Sequence, residues 1–249
     1  MKPFISCIMY IIVPPIWLNR DIMLETLAIV PYHPFLSRKY SYKSLLKRLM
    51  YLDYADMKGI TKEEEGTQEN WVPVFEKGPY SSRYLVDANL NILGYWHFVA
   101  LDEELFKKAR KGLMVDNEIT ADRIYSLERK GRYKMYFVET VTHPDITNTD
   151  AAAMLDESFY DAVYDFARSG VFFTERITNA ITPVAVKRAT DFGMKFVAKN
   201  IYRGSVYSIK MTDFLLRNAS RRVDLLRLYS NEMHSGSKTR RKASESYKH

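Results

Sequence analysis

A single carboxylate stands inside a strand-like run. Residues 137–142 read FVETVT, so Glu139 lies between Val138 and Thr140 in a segment rich in Tyr, Phe and Val. If both faces of this strand are covered, burial raises the pKa of the carboxyl group and suits it to take a proton from an ammonium group. Strand alternation can instead turn the side chain to solvent, where it would form a salt bridge with a lysine or arginine.

His143 follows the same run and stands directly before Pro144. A histidine at a strand end can act as a base beside a bound substrate, but His-Pro is also a frequent turn with a solvated ring, so both interpretations stay open. The other histidines, at positions 33, 97, 234 and 249, are scattered, and Cys7 is the single cysteine. None of these spacings is typical of metal ligands, so we predict no metal site.

Residues 95–98 form an aromatic cluster that reads YWHF. In a strand, alternation sends Tyr95 and His97 to one face and Trp96 and Phe98 to the other. One pair is expected to belong to the core, and the other pair can line a pocket. We take Tyr95 and His97 as the candidate substrate-binding residues.

The composition of the whole chain is that of a globular protein. Of its 249 residues, 47% are hydrophobic and 14% aromatic, which is ample material for a packed core. The net charge of +7 permits an anionic partner without choosing among nucleic acid, a membrane surface and a phosphorylated cofactor. The basic tail lacks the aromatic interleaving typical of proteins that bind single-stranded nucleic acid, so nucleic acid is permitted but not indicated.

The first eighteen residues are apolar, but they are fewer than the roughly 20 residues of a spanning helix. Pro14 and Pro15 would also break such a helix, and no small-residue cleavage site follows the apolar run. A single cysteine fits a reducing compartment. We therefore expect no membrane span and a cytoplasmic protein.

The hydrophobic pattern predicts a mixed α/β (α+β) domain with a partly antiparallel central sheet flanked by helices. Asp150 is expected to cap the helix that follows FVETVTHPD, and Gly170 to end it. The predicted elements are a helix over 40–57, a hairpin over 81–101, a helix over 103–112, a strand over 131–145, a helix over 150–169, a strand over 171–177, a short helix over 182–194, strands over 195–202 and 205–211, and a closing helix over 213–229.

Three stretches in this order resemble the GNAT superfamily of N-acetyltransferases. YLVDANLNILGYWHF (84–98) is similar to the second and third strands of that family, and FVETVTHPD (137–145) is similar to its fourth strand. TPVAVKRATDFGMKF (182–196) is similar to its late helix. The resemblance implies an acyltransferase domain over roughly residues 40–211, with an N-terminal extension or arm over 1–39, a C-terminal helix over 212–229 and a flexible basic tail over 230–249.

The resemblance implies that the fourth strand splays from the fifth and that acetyl-CoA or another acyl thioester lies in the opening. The pantetheine arm would pair with the main chain of Val141, Thr142 and His143, as an extended peptide adds to a strand edge. The pyrophosphate would lie at the following helix N-terminus. The residues placed there are Thr147, Asn148, Thr149, Ala151 and Ala152.

Two departures from the family pattern bear on activity. The loop after the strand lacks the usual glycines and arginine, and Asp145 and Asp150 place negative charge where the pyrophosphate would lie. Ala189 stands where many members have a tyrosine that protonates the leaving thiolate. The first departure counts against tight CoA binding, and the second leaves the family's usual general-acid position without a proton donor.

The resemblance implies transfer of an acetyl or larger acyl group from a CoA-type thioester to an amine of a small molecule or a protein. Glu139 would take the proton of the amine, with His143 as a second candidate, and Tyr95 and His97 would line the acceptor pocket. The departures favour an alternative, a catalytically degenerate domain that serves as a binding or regulatory module. A third alternative is a relative of the acetyltransferase toxins that act on charged tRNA, which the positive charge permits. Oligomeric state is left open.

Overall fold

The computed structural model describes residues 27–57, 59, 61–144, 146, 149–218, 220 and 222–232. The strands are β1 (Ala28–Val30), β2 (Ser82–Val86), β3 (Ile92–Ala100), β4 (Gly131–Thr142), β5 (Val171–Ala180), β6 (Lys195–Lys199) and β7 (Ser205–Lys210). The helices are α1 (Tyr42–Asp56), α2 (Lys62–Glu65), α3 (Gln68–Lys77), α4 (Glu103–Arg110), α5 (Thr149–Arg168), α6 (Pro183–Asp191), α7 (Met211–Arg217) and α8 (223–232). Short 3-10 segments lie at Leu36–Arg38, Asp116–Glu118 and Ala121–Arg123.

The described strands form one sheet in the order β1-β2-β3-β4-β5-β7-β6. Every neighbouring pair is antiparallel except β4 and β5, which run parallel. The connection between these two strands is α5, as a parallel pair requires a crossover rather than a hairpin. The predicted mixed, partly antiparallel α/β fold is therefore confirmed.

Helices cover both faces of the sheet. On one face α1 and α3 pack over a core that includes Leu45, Leu49 and Trp71. On the other face α5 and α7 pack over a core that includes Phe159 and Phe214. The alternation predicted for residues 95–98 is observed, because Tyr95 lies in the α1 core while Trp96 and Phe98 lie in the α5 core.

A bulge interrupts the ladder between β3 and β4. His97 pairs with Glu139 and Phe98 pairs with Phe137, so Val138 is an extra residue in β4. Phe137 packs in the α5 core. Glu139, beyond the bulge, faces the α1 side, where its carboxylate contacts the Tyr95 hydroxyl.

The two elements that border the opening between β4 and β5 have local end signals. Gly170 adopts a φ of +88° directly after α5, a conformation that favours glycine. Thr182 caps α6 by accepting a hydrogen bond at Oγ1 from the Ala185 N–H, 3.1 Å away, and Pro183 occupies the first turn. These signals lie in the sequence itself, and both predicted boundaries are confirmed.

Other boundaries differ from the prediction. The helix expected over 212–229 is two helices, because α7 ends at Asn218, whose amide Nδ2 donates to the Phe214 carbonyl and competes with helix propagation. α8 extends to 232, inside the predicted tail. α5 begins at Thr149, so Asp150 lies in its first turn rather than at its cap.

The segment assigned to an N-terminal arm contributes to the sheet. β1 pairs antiparallel with β2, with Ile29 opposite Leu85, because its apolar residues are buried by that pairing. The sheet therefore begins upstream of residue 40. Within the described ranges, no helix combines the length and apolar character that crossing a membrane requires.

Gly112 offers a test of the connection between α4 and the β6–β7 turn. Its φ is +72°, and a Cβ there would overlap the Lys199 carbonyl oxygen, so Gly112→Ala should lower the free energy of unfolding by at least about 2 kcal/mol. Gly59→Ala is the matched control, since Gly59 has a φ of +78° but open space around it, and should cost about 1 kcal/mol. Urea unfolding of both variants measures the difference, and equal losses would contradict the overlap.

Candidate functional site

β4 and β5 separate before either strand ends. Their parallel pairing runs from Gly131 opposite Val171 to Tyr136 opposite Ile177. Beyond that point β4 continues beside β3, and β5 continues beside β7. Among the described strands, the main-chain groups of residues 137–142 that point toward β5 therefore have no partner on that side. The structure contains the opening between strands that the resemblance implied.

A cavity of about 420 Å³ occupies this opening and reaches helices on both faces of the sheet. Side chains from α1, β4, β5 and α6 line it, and its polar groups divide by charge. Carboxyl groups gather on the α1 side, whereas arginines lie on the α5 and α6 side. The acidic members are Asp53, Glu65, Asp116 and Glu139, and the basic members are Arg176 and Arg188.

Tyr95 joins two carboxyl groups at the acidic end. Its hydroxyl lies 2.6 Å from Asp53 Oδ1 and contacts Glu139 Oε1 as well. A phenol has one proton to donate, so both contacts are satisfied only when one of the carboxyl groups is itself protonated. Asp53, Tyr95 and Glu139 thus form a chain of three oxygens that shares protons. No ion pair among the described residues includes Glu139, so the predicted salt-bridge alternative is not observed.

The pKa values of the two carboxyl groups, Asp53 and Glu139, are raised. Burial raises the pKa of Glu139 to about 8; the Tyr95 hydrogen bond opposes the rise, while the charges of Glu65 and Asp116 add to it. Burial, followed by the charge of Glu139, holds the pKa of Asp53 well above its usual range. The two groups titrate as a pair. A carboxyl group with a pKa near 8 exchanges protons close to neutral pH, as a general base requires.

Two further carboxyl groups extend the acidic end. Asp116 accepts a hydrogen bond from the Tyr136 hydroxyl at 2.7 Å, and burial raises its pKa to about 6. Burial also raises the pKa of Glu65, opposed by hydrogen bonds from Tyr54 and Asp53. Glu65 Oε2 is buried, and no described residue forms a hydrogen bond with it. This end of the cavity therefore attracts a cation or a hydrogen-bond donor.

His97 lines the cavity beside these acids as a neutral ring. It is 1% exposed, stacks on Phe75 with centroids 4.2 Å apart, and its Nδ1 lies 2.7 Å from Ser82 Oγ. Burial lowers the pKa of His97 to about 3. Its Nε2 has no hydrogen-bond partner in the described parts of the chain. His97 can therefore exchange a hydrogen bond with a ligand but does not carry a charge at neutral pH.

The opposite end of the cavity is cationic. Arg188 on α6 forms an ion pair with Asp156 on α5. Burial lowers the pKa of Arg176 to about 9, and the charge of Arg188 contributes, so Arg176 remains protonated at neutral pH. The Arg176 guanidinium carbon lies 4.0 to 5.4 Å from the centroids of four rings: Phe137, Phe159, Phe192 and Phe214.

The residues predicted for the donor divide into three groups. Val141, Thr142 and Ala152 line the cavity. Ala151 is fully buried in the α5 core instead, and His143 lies outside the described lining, with its N–H bonded to the Leu93 carbonyl at 2.7 Å. Thr147 and Asn148 lie outside the described residues, and so does the side chain of Thr149.

Several cavity residues were not predicted from the sequence. Asp53 follows Leu45 and Leu49 at intervals of four in α1, and a carboxylate at a buried helical position is a signal in itself. Arg176 interrupts a buried-type strand in the same way that Glu139 does. Glu65 and Asp116 lie in short segments with no such signal. Within the described residues, no group of three His, Cys, Asp or Glu side chains has an arrangement that holds a metal ion.

No protein-family model matches the sequence, and no curated protein matches it. Solved structures are similar to it. The loading GNATL domain of CurA from Lyngbya majuscula is 12% identical, with 75% of this chain and 98% of that one covered and a TM-score of 0.50.

Two further structures are similar at lower TM-scores. An acetyltransferase of the GNAT family from Staphylococcus aureus Mu50 is 11% identical, covers 75% of this chain and 99% of its own, and has a TM-score of 0.46. The C-terminal condensation domain of Ebony, solved with beta-alanyl-dopamine, is 12% identical, covers 76% and 100%, and has a TM-score of 0.41. At such identities the likeness concerns the fold, and the CurA domain shows that this chain has a GNAT-like fold.

Proposed function

We propose that the chain transfers an acyl group from a CoA-type thioester to an amine. The observation that carries this proposal is the separation of β4 from β5 beyond Tyr136, which opens a cavity with Glu139 in its wall. An unpaired strand edge and a carboxyl group with a pKa near 8 meet in one space. An amine acyltransferase requires a group that orients the thioester and a base that takes the proton of the amine, and the strand edge and Glu139 suit these two roles.

The free edge of β4 suits the donor. An extended arm that bears amide groups can add to residues 137–142 as a peptide adds to a sheet edge, and Val141 and Thr142 line the cavity there. The thioester, when bound, would supply an acyl carbon to which the amine forms a C–N bond while the C–S bond breaks, and the released thiolate would leave as the free CoA thiol after taking up a proton. Asp150, exposed in the first turn of α5, disfavours a highly charged anion at that helix N-terminus.

The acidic end suits the acceptor. An amine arrives mostly as an ammonium ion, and the carboxyl groups of Glu65 and Asp116 attract it toward Glu139. Glu139 then takes the proton, while the Tyr95 hydroxyl holds the carboxylate in place. Asp53 stays protonated and shares its proton with the Tyr95 hydroxyl. This limits the negative charge in the cavity wall.

Acetyl-CoA should stabilise the full chain. At a concentration about 100 times its Kd, a ligand adds about 2.7 kcal/mol to the free energy of unfolding, which corresponds to roughly 5 to 10 °C in Tm for a chain of this length. Thermal unfolding with acetyl-CoA measures this shift, and ADP serves as the control that has a diphosphate but no amide-bearing arm. No shift with millimolar acetyl-CoA would contradict the proposal and favour the binding-module alternative.

A further inference from the structure

Arg176 is a buried cation without a polar partner among the residues that the structure describes. The residue is 4% exposed, and its Nε has no hydrogen-bond partner. No hydrogen bond or ion pair within the described part of the chain involves this guanidinium. Yet it lies in the wall of the cavity between β4 and β5. Buried charges in proteins are normally paired, so an unpaired one beside an open space points to a ligand.

The surrounding rings do not replace such a partner. Ring faces attract a cation by about 0.5 to 2 kcal/mol each, but they accept no hydrogen bond in the plane of the guanidinium. Arginine has five N–H donors arranged to meet the two oxygens of a planar anion. The contacts around Arg176 therefore hold the guanidinium in position and leave its donors available.

The local charge balance limits the ligand group that contacts Arg176 to a single negative charge. Arg188 is neutralised by Asp156 through their ion pair, so Arg176 leaves this end of the cavity with one excess positive charge. A single carboxylate would cancel that charge. A diphosphate would introduce more negative charge than this end can balance, and the acidic residues at the other end would repel it.

Small side chains also line the cavity on α6. Ala185 and Ala189 lie on the same helix as Arg188, and alanine side chains leave space where larger residues would fill it. Arg176 lies with Phe137 on the α5 side of the sheet, whereas Glu139 faces the α1 side. A ligand that passes through the opening can therefore place a carboxylate at Arg176 and an amine at the acids.

We infer that this cavity binds a ligand with a carboxylate group, which is held by the buried guanidinium of Arg176. The carboxylate belongs either to the acyl group of the donor or to the amine acceptor, an identification that rests on the proposed function. Recognition of the carboxylate itself does not require acyl transfer, so the two can be tested separately.

The test compares propionate with propionamide, which has nearly the same shape and no charge. Titration calorimetry and thermal unfolding of the full chain should show propionate binding at least about tenfold more tightly, since a hydrogen bond to a charged group contributes about 1.5 to 3 kcal/mol. Arg176→Met should remove this preference, and Arg176→Lys should keep part of it. The matched control is Arg168→Met, an exposed arginine near the end of α5, which should keep all of it.

A measurement on the unmodified protein guards against failure of Arg176→Met to fold. The Nε resonance of Arg176, identified by its loss in Arg176→Lys, should shift with propionate and not with propionamide. Equal binding of the two probes by the unmodified chain would overturn the inference. So would a propionate preference that survives in folded Arg176→Met.

Two further arms identify the source of the carboxylate. In the donor arm, succinyl-CoA should bind more tightly than acetyl-CoA, with a difference that Arg176→Met removes. In the acceptor arm, an amino acid should bind more tightly than the amine that lacks its carboxylate, again through Arg176. The arm in which the gain in affinity depends on Arg176 identifies whether the donor or the acceptor carries the carboxylate. If acyl transfer is absent but propionate binds through Arg176, the proposed function fails and this inference stands.

Discussion

Glu139→Gln is expected to lower kcat about 10² to 10⁴-fold, the usual contribution of a positioned general base. Glutamine keeps the size and one acceptor oxygen of Glu139, so the contact with Tyr95 survives while the ability to take a proton is lost. The affinity for the thioester should change little, because in the proposed function the thioester would pair with main-chain groups at the free edge of β4 rather than with the Glu139 side chain. The measurement is CoA release with saturating donor and an amine panel.

The pH profile distinguishes loss of a base from loss of structure. In the unmodified protein kcat/KM should rise toward pH 8 as Glu139 ionises, and the variant should lack that rise. Glu104→Gln is the matched control, since it makes the same chemical change at a side chain that is 89% exposed, and it should behave as wild type. An unchanged kcat in Glu139→Gln would remove Glu139 from the mechanism.

The same substitution should stabilise the fold selectively at higher pH. Glu139 has a pKa near 4.5 when unfolded and about 8 when folded. Between these values the folded chain binds the additional proton, so the stability present below pH 4.5 is lost as pH rises through 8. Glutamine carries no such proton. The free energy of unfolding of the variant minus that of wild type should therefore increase by roughly 2 to 4 kcal/mol from pH 5 to pH 8.

Only the difference between the two proteins isolates this effect. Burial lowers the pKa of His97 to about 3, so its contribution runs in the opposite direction and is lost as pH falls below 6.5. His97 is present in both proteins and cancels in the subtraction. Urea unfolding at pH 5, 6.5 and 8 provides the values. A difference that does not vary with pH would contradict the raised pKa of the Asp53–Glu139 pair.

The fold was largely predictable because its signals are local. Alternating apolar residues, a proline in the first turn of α6 and the glycine after α5 lie within a few positions of the elements that they define. The helix expected over 212–229 was divided only by a weaker local signal, the Asn218 amide that competes for the Phe214 carbonyl. The two resulting helices pack separately, with Leu215 of α7 and Leu225 of α8 both buried in the α5 core.

The site was predictable only where one residue carried the signal alone. Glu139 is conspicuous as a carboxylate in a strand, and the opening beside that strand was expected from its resemblance to the fourth strand of the GNAT superfamily. The raised pKa of Glu139 comes first from burial and then from the charges of Glu65 and Asp116, which reach it from other segments, while Tyr95, whose hydrogen bond opposes the rise, lies 44 residues away in the chain. Such contacts are set by tertiary packing, and no local pattern in the sequence encodes them.

The bulge at Val138 determines which charges meet in this protein. Without the extra residue, strict alternation would turn Glu139 to the same face as Phe137, where the Arg176 guanidinium lies 4.0 Å from the ring. The acid and the cation would then form an internal ion pair and neutralise each other. One additional residue in a strand keeps them on opposite faces of the sheet. The cavity thus holds two opposite charges apart, each available to its own part of a ligand.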